Sequence, residues 1–183
     1  TNCDAETKRA FEDLGATADV FHFNEVVKHQ CILDYDALVF PGGFSYGDYV
    51  RAGAIWATGT VTKLRKDLKQ FDEEERPIIG ICNGFQALVN LGLLPGLTPN
   101  DHQRSVALTF NDCGNFRDGW VTLRPNPKAK CIFTKGLDRL ELPVRHGEGK
   151  FITDSDTLEQ LIANNQVAMQ YAKPDGARAD QAF

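Results

Sequence analysis

No CxxC pair occurs among the five cysteines (Cys3, Cys31, Cys82, Cys113 and Cys131), which are odd in number and widely scattered. That pattern gives no disulfide framework and no zinc ribbon, and it suits a reducing cytoplasm. The four histidines, His22, His29, His102 and His146, do not fall at metal-ligand spacing, so no metal site is expected. A Walker loop is missing because no GK[ST] follows any glycine cluster, and GxGxxG is missing as well. Nor is there an excess of positive charge. The formal net charge is −5 in 183 residues, which argues against a nucleic-acid surface. No apolar run approaches the length of a membrane span, and no internal repeat, low-complexity block or linker interrupts the chain. No apolar signal sequence is visible, although the chain opens on Thr1 rather than Met. These absences leave a globular chain long enough for one domain with a sizeable core.

What is present centres on Pro77-Ile78-Ile79-Gly80-Ile81-Cys82-Asn83-Gly84-Phe85-Gln86-Ala87-Leu88. The short apolar run after Pro77 reads as a buried strand, and the spacing after Gly84 reads as a helix. Cys82 falls at the turn between them. GxCxG has the form of a nucleophile elbow with cysteine in place of serine, where a Cβ at either flanking position would crowd the turn. The helix that begins beside Cys82 aims its N-terminal dipole at the sulfur. Cys82 is therefore the candidate nucleophile.

One strand earlier, residues 36–40 run into the glycine-rich Pro41-Gly42-Gly43-Phe44-Ser45-Tyr46-Gly47-Asp48. Glycines at the end of a parallel strand let backbone N–H groups approach a ligand, which suits a phosphate or a developing oxyanion. Next to a cysteine elbow, the oxyanion reading is the better one.

The rest of the chain reads as ordinary α/β punctuation. Asp4 caps a helix that stops at Gly15, and residues 18–23 are expected to be a strand. Residues 61–74 form an amphipathic helix with Val61, Leu64, Leu68 and Phe71 inward and Lys63, Arg65, Lys66 and Lys69 toward water. From Ser105 the pattern becomes short and alternating, with strands expected over 105–110, 119–124, 131–133 and 142–146, an antiparallel region. Residues 155–164 form a helix with Asp156 and Glu159 at capping-box spacing, and 167–171 is a last strand. The fold class is α/β: a mostly parallel central sheet with helices on both faces, plus an antiparallel extension from residues 105–150.

GICNGFQALVNLGLLPG, PGGFSYGDYVRAGA and PVRHGEGKF, with the opening TNCD, together resemble the class I glutamine amidotransferases, which are flavodoxin-like. Within them the chain resembles the glutaminase component of phosphoribosylformylglycinamidine synthase from Thr1 to about Tyr171. The resemblance implies that Cys82 attacks the side-chain amide of L-glutamine and that Gly43 and Asn83 supply oxyanion N–H groups. It also implies that Gly42, Phe44, Gln86, Arg145, His146 and Gly147 bind the substrate, the last three mainly through backbone groups. No cofactor is implied here; ATP and Mg belong to the synthetase domain or subunit that would use the ammonia, and a small accessory subunit is a further optional partner. A cytoplasmic purine-biosynthetic ligase follows. The family's His/Glu segment and first strand are not matched, so residues 1–183 read as a single amidotransferase domain incomplete for catalysis. From residues alone, His146 with Glu148 would be the base and its orienter, but two residues apart on a strand is poor geometry for that. Rival readings are the glutaminase of another amidotransferase, a cysteine-elbow redox sensor or chaperone, and a non-catalytic interaction domain. FSYGD and HGEG argue against the first, and Gln86 and Asn83 beside the elbow argue against the second.

Overall fold

Asp4 and Glu6 place negative charge where a helix begins, and the computed structural model, which describes residues 1–98 and 102–179, has α1 over Asp4–Asp13. The cap is Cys3 rather than Asp4: the Cys3 carbonyl accepts the Thr7 N–H at 3.1 Å and the Thr7 hydroxyl at 2.5 Å. The stretch 18–23 is not a strand. Phe23 instead opens α2 (Phe23–His29), because His22 and Glu25 cap it reciprocally. His22 Nδ1 accepts the Asn24 N–H at 3.3 Å, and Glu25 accepts the His22 N–H at 3.1 Å. This local pairing outweighs the alternation of Val20, Phe21, His22 and Phe23.

A 3-10 turn over Cys31–Asp34 leads into β1 (Leu38–Phe40), followed by α3 (Ala54–Glu73), β2 (Ile78–Gly80) and α4 (Asn83–Leu91). β1 and β2 pair in parallel, with Leu38 opposite Ile78 and Phe40 opposite Gly80. Their C-terminal ends therefore deliver the glycine-rich loop and the cysteine turn to one place.

α3 starts seven residues before the amphipathic stretch expected from the sequence. Its inward face is Ala57, Thr60, Leu64, Leu68 and Phe71, whereas Val61 is exposed. Thr60 fits an apolar face because its hydroxyl donates to the Trp56 carbonyl at 2.9 Å. Gly59 suits the helix because the Phe23 ring lies where its Cβ would be, 3.2 Å from the nearest ring atom. Phe71 is wholly buried among Ile32 and Leu64, worth roughly 1.5–3 kcal/mol by apolar burial. Arg76 closes this end: its guanidinium lies 5.2 Å from the Phe71 ring centroid, and Nη1 donates to the carbonyls of Leu33 and Tyr35 at 2.8 and 2.7 Å. A second apolar cluster, Phe40, Ala57, Leu68, Ala87, Leu88 and Leu91, packs α3 and α4 on the parallel strands.

Thr1–Arg104 forms one compact unit and Ser105–Phe183 another. In the second, β3 (Ala107–Thr109), β4 (Arg117–Pro125), β5 (Leu140–His146), β6 (Lys150–Ile152), α5 (Ser155–Ala163) and β7 (Met169–Ala172) follow in order. All pairings are antiparallel: β3 with β6, and β4 between β5 and β7. The expected strand over 131–133 is instead a 3-10 turn, Ile132–Thr134, in which the Thr134 hydroxyl donates to the Cys131 carbonyl at 3.3 Å. α5 is capped by Asp154, not Asp156. Asp154 Oδ1 accepts the Thr157 N–H at 2.8 Å and Oδ2 the Thr157 hydroxyl at 2.9 Å, which holds the Asp154 carboxyl below its usual range. The α/β class thus stands, with a parallel pair beneath the elbow and an antiparallel extension beyond residue 105. Among the described residues, no helix is long and apolar enough to cross a membrane.

Candidate active site

The elbow is built from two glycines and one strained cysteine. After β2, the Ile81 N–H donates to the Phe40 carbonyl at 2.9 Å, the last rung between the two strands. The chain then reverses at Cys82, whose φ of 51° and ψ of −109° lie outside the regions L-residues favour. α4 starts at once, with the Gly84 N–H on the Ile81 carbonyl at 2.9 Å and the Gln86 N–H on the Cys82 carbonyl at 3.1 Å. Any Cβ on Gly84 would overlap the Phe40 carbonyl, and one on Gly80 would lie 2.8 Å from the Gly84 carbonyl oxygen. So close a strand-to-helix approach needs glycine at both positions. The Cys82 side chain is exposed and in no disulfide.

The glycine-rich loop passes beside Cys82. A Cβ on Gly42 would lie 3.4 Å from Cys82 Cβ. Gly43, at φ 132°, has Asn2 packed where its own Cβ would be. Asn2 also fixes the next residue, since its Oδ1 accepts the Phe44 N–H at 2.9 Å, while the Cys3 N–H donates to the Gly42 carbonyl at 3.3 Å. The TNCD opening thus serves as a brace for the loop.

Past Phe44 the loop runs through three consecutive left-handed residues, Tyr46, Gly47 and Asp48, at φ 54°, 64° and 53°. This reversal brings the Asp48 carboxylate back to α4, beside the Ser45 N–H. Asn83, wholly buried, receives both: its Oδ1 accepts the Ser45 N–H at 3.0 Å, and its Nδ2 donates to Asp48 Oδ1 at 3.0 Å and to Gln86 Oε1 at 3.2 Å. The Ser45 hydroxyl is buried there without a hydrogen-bond partner. Farther along, Gly53 sits with its Cβ position 2.7 Å from the Ala87 nitrogen, and Asn90 Nδ2 donates to the Ala52 carbonyl at 3.1 Å, so the loop is fastened along α4.

Gly42, Gly43, Phe44, Cys82, Asn83 and Gln86 are thus gathered in the first unit. Arg145 and His146 end β5 in the second unit, and Gly147 follows them. Arg145 Nε is 3.2 Å from Asp118 Oδ1. The His146 ring is oriented by Asn111, not by Glu148: Nδ1 lies 2.9 Å from Asn111 Oδ1, which also accepts the Gly149 N–H at 3.2 Å. Asn111 Nδ2 donates to the His146 carbonyl at 2.8 Å, and the Asn111 N–H donates to the Gly147 carbonyl at 2.9 Å. Because Oδ1 is the acceptor here, His146 carries its proton on Nδ1. Burial lowers the ring's pKa from its ordinary value, against a smaller raising effect of its own backbone. Among the described residues, no group of three or more His, Cys, Asp or Glu could hold a metal ion.

Sequence reading assigned Asn83 only a backbone role and gave Asn2, Ser45 and Asn111 none. The available signal was the polar Asn83 and Gln86 at helical spacing on an otherwise apolar helix, where burial without partners would be costly.

Comparison with known proteins agrees with this geometry. The family model of the CobB/CobQ-like glutamine amidotransferase domain matches residues 1–182. The chain is 43% identical over 179 residues to a phosphoribosylformylglycinamidine synthase subunit PurQ of Dehalococcoides mccartyi, covering 97% of this chain and 68% of that protein. It is 41% identical over 192 residues to the protein of the same name from Archaeoglobus fulgidus, covering 96% and 70%. Among solved structures it is similar to a chain of "Structure of PurLQS from Thermotoga maritima", with a TM-score of 0.64 and 27% identity over 98% of this chain and 75% of that one. With the cysteine elbow, the glycine loop and a whole-length family match in agreement, this chain belongs to the CobB/CobQ-like glutamine amidotransferase family.

Proposed function

We propose that this chain is the glutaminase of a phosphoribosylformylglycinamidine synthase. It hydrolyses L-glutamine to glutamate and ammonia, and the ammonia feeds formation of the amidine in purine biosynthesis. Cys82 Sγ attacks the side-chain amide carbon of glutamine, ammonia leaves carrying the thiol proton, and a glutamyl thioester remains. Water then cleaves the thioester to glutamate and restores the thiol. The oxyanion formed in each step is met by the backbone N–H groups of Gly43, in the loop after β1, and Asn83, at the start of α4. Gln86, one turn along α4 and bonded through its N–H to the Cys82 carbonyl, contributes to the grip on the substrate's amino-acid end, as do Gly42 and Phe44. The partner is a synthetase domain or subunit, joined by a small accessory subunit; ATP and Mg²⁺ are that partner's, and the setting is the cytoplasm.

The observation that carries this reading is the backbone of Cys82. A non-glycine residue held at φ 51°, ψ −109° between a parallel strand and a helix, with a glycine packed against its Cβ, presents a nucleophile and has little other use. The test is intact mass spectrometry after treatment with 6-diazo-5-oxo-norleucine, a glutamine mimic whose diazo carbon loses N2 as it forms a thioether. One adduct at Cys82, suppressed by glutamine and absent in Cys82→Ala, is expected. Labelling of the other cysteines with Cys82 spared would refute the assignment.

A further inference from the structure

We propose that Asn2 is a positioning residue for the Cys82 chemistry. With the Cys3 N–H that follows it, Asn2 holds the Gly42–Gly43 peptide so that its N–H stays free for the oxyanion, and it opposes the flipped state in which a carbonyl would take that place. The inference rests on the glutaminase reading above.

The glycine-rich loop offers three N–H groups in succession, and two are already taken. The Phe44 N–H donates to Asn2 Oδ1 at 2.9 Å and the Ser45 N–H to Asn83 Oδ1 at 3.0 Å. Among the described residues, the half-buried Gly43 N–H makes no hydrogen bond. A donor that the chain leaves unpaired is met by water or by a ligand. This one is one residue past Gly42, whose Cβ position lies 3.4 Å from Cys82 Cβ, which puts it in the surroundings of the sulfur.

The N-terminal segment sets the direction of that donor. The Gly42–Gly43 peptide is trans, so its C=O and N–H point in opposite directions. The Cys3 N–H donates to the Gly42 carbonyl at 3.3 Å, which directs the Gly43 N–H away from Asn2 and Cys3. The next peptide plane, Gly43–Phe44, is held by Asn2 Oδ1. Asn2 also fills the place where a Gly43 Cβ would be. Both planes that meet at Gly43 are therefore pinned by one short segment.

The pinning matters because both residues are glycine. With no Cβ on either side, a Gly–Gly peptide rotates by half a turn against little steric resistance. Such a flip exchanges the Gly42 oxygen and the Gly43 N–H, and a developing negative charge would then meet an acceptor where it needs a donor. Here the flip would break the Cys3–Gly42 bond and move Gly43 from φ 132°. The bond from Phe44 to Asn2 prevents the neighbouring plane from absorbing the rotation. Asn2 itself is exposed, so its side chain can be changed without opening the core.

The test uses L-glutamate γ-semialdehyde, the aldehyde of the glutamine skeleton. Cys82 Sγ adds to its carbonyl carbon: an S–C bond forms, the C=O π bond opens and the thiol proton passes to the oxygen. The resulting hemithioacetal carries its oxygen where the oxyanion would form. The corresponding alcohol, L-2-amino-5-hydroxypentanoate, has the same amino-acid end and no carbonyl. The apparent Kd of each is measured by the protection it gives Cys82 against iodoacetamide, read on the Cys82 peptide because the exposed Cys113 also reacts. All proteins carry Cys3→Ala, which keeps the backbone N–H and removes an exposed thiol beside the clamp. The fraction of aldehyde that cyclises in water is common to every variant and cancels in the ratios.

Asn2→Ala is expected to raise the aldehyde Kd about tenfold, with the alcohol Kd and the unprotected iodoacetamide rate within about threefold of the parent. Asn2→Asp still accepts from the Phe44 N–H, and at high salt, where its charge is screened, the aldehyde Kd should return to within about threefold of the parent. An unchanged aldehyde Kd in Asn2→Ala, an alcohol Kd rising in step with it, or Asn2→Asp no better than Asn2→Ala would each overturn the proposal. A parent protein alkylated at Cys82 by iodoacetamide and unprotected by the aldehyde would instead overturn the glutaminase reading, and this inference with it.

Discussion

Asn83 in the first unit and Asn111 in the second each use one carboxamide to accept from a loop N–H and to donate to other groups. They differ in burial and in what they hold. Asn83 is wholly buried, and its NH2 group is spent on the side chains of Asp48 and Gln86. Asn111 is half-buried, and its NH2 group is spent on the carbonyls of His146 and Asn115. Water can replace the partners of Asn111 but hardly those of Asn83. The first arrangement therefore fixes the orientation of side chains, whereas the second fixes the path of a loop and the tilt of one imidazole.

Breaking the comparison at its glycines should give the largest effect. Gly84→Ala drives a Cβ into the Phe40 carbonyl, backbone that cannot step aside, whereas Gly149→Ala meets the His146 ring, a side chain that can turn. Urea unfolding should show a loss of about 3 kcal/mol or more for the first, or failure to fold, and about 1 kcal/mol for the second. Similar losses would mean that the elbow is looser than its geometry indicates.

The asparagines themselves come next. Asn83→Ala leaves the buried Ser45 N–H without its acceptor and takes one donor from Asp48 and one from Gln86, and should cost roughly 2–4 kcal/mol; Asn111→Ala, where solvent can enter, should cost about 1 kcal/mol. A larger loss at Asn111 would reverse the ranking drawn from burial.

The smallest effect is a pH dependence confined to the second unit. His146 is held neutral, with its pKa below the ordinary 6.5, so the unfolded chain takes up the proton first as pH falls. The stabilisation is fully present above about 6.5 and is lost as pH drops from there toward the lowered folded value. Because solvent still reaches the ring, the change should stay below about 1 kcal/mol. Denaturation midpoints between about pH 7.5 and 5.5 should fall in wild type and fall less in His146→Gln. A midpoint that rises with acid would mean the ring is charged in the fold.

How much of this could be read in the chain beforehand depends on distance along it. The cysteine turn was legible because strand, glycines and helix lie within a dozen residues, and Gly80 and Gly84 act on neighbours. Gly42 and Gly43 were legible by type, as glycines ending a strand. The Ser45–Asn83 and Asn111–His146 bonds were not, since they join residues 38 and 35 positions apart and no periodicity encodes such a meeting. Phe23 shows the converse. Alternation suggested a strand, but a cap three residues wide and a ring packed on Gly59 made it a helix start. Thr60 was passed over for Val61 because a hydroxyl satisfied within its own helix counts as apolar to its surroundings.

The parallel pairing of Leu38–Phe40 with Ile78–Gly80 divides the first unit into a working end and an idle one. At about 3.3 Å per residue, the turns feeding the two strands lie roughly 10 Å from the thiol side. At that idle end the exposed acidic run of residues 73–75 is tied to the loop before β1 through Arg76, which pairs with Glu74 and donates to the carbonyls of Leu33 and Tyr35. Sequence there can drift, lengthen or accept a grafted epitope while the sulfur stays where it is, which makes it the place to fasten this protein to a surface or a label.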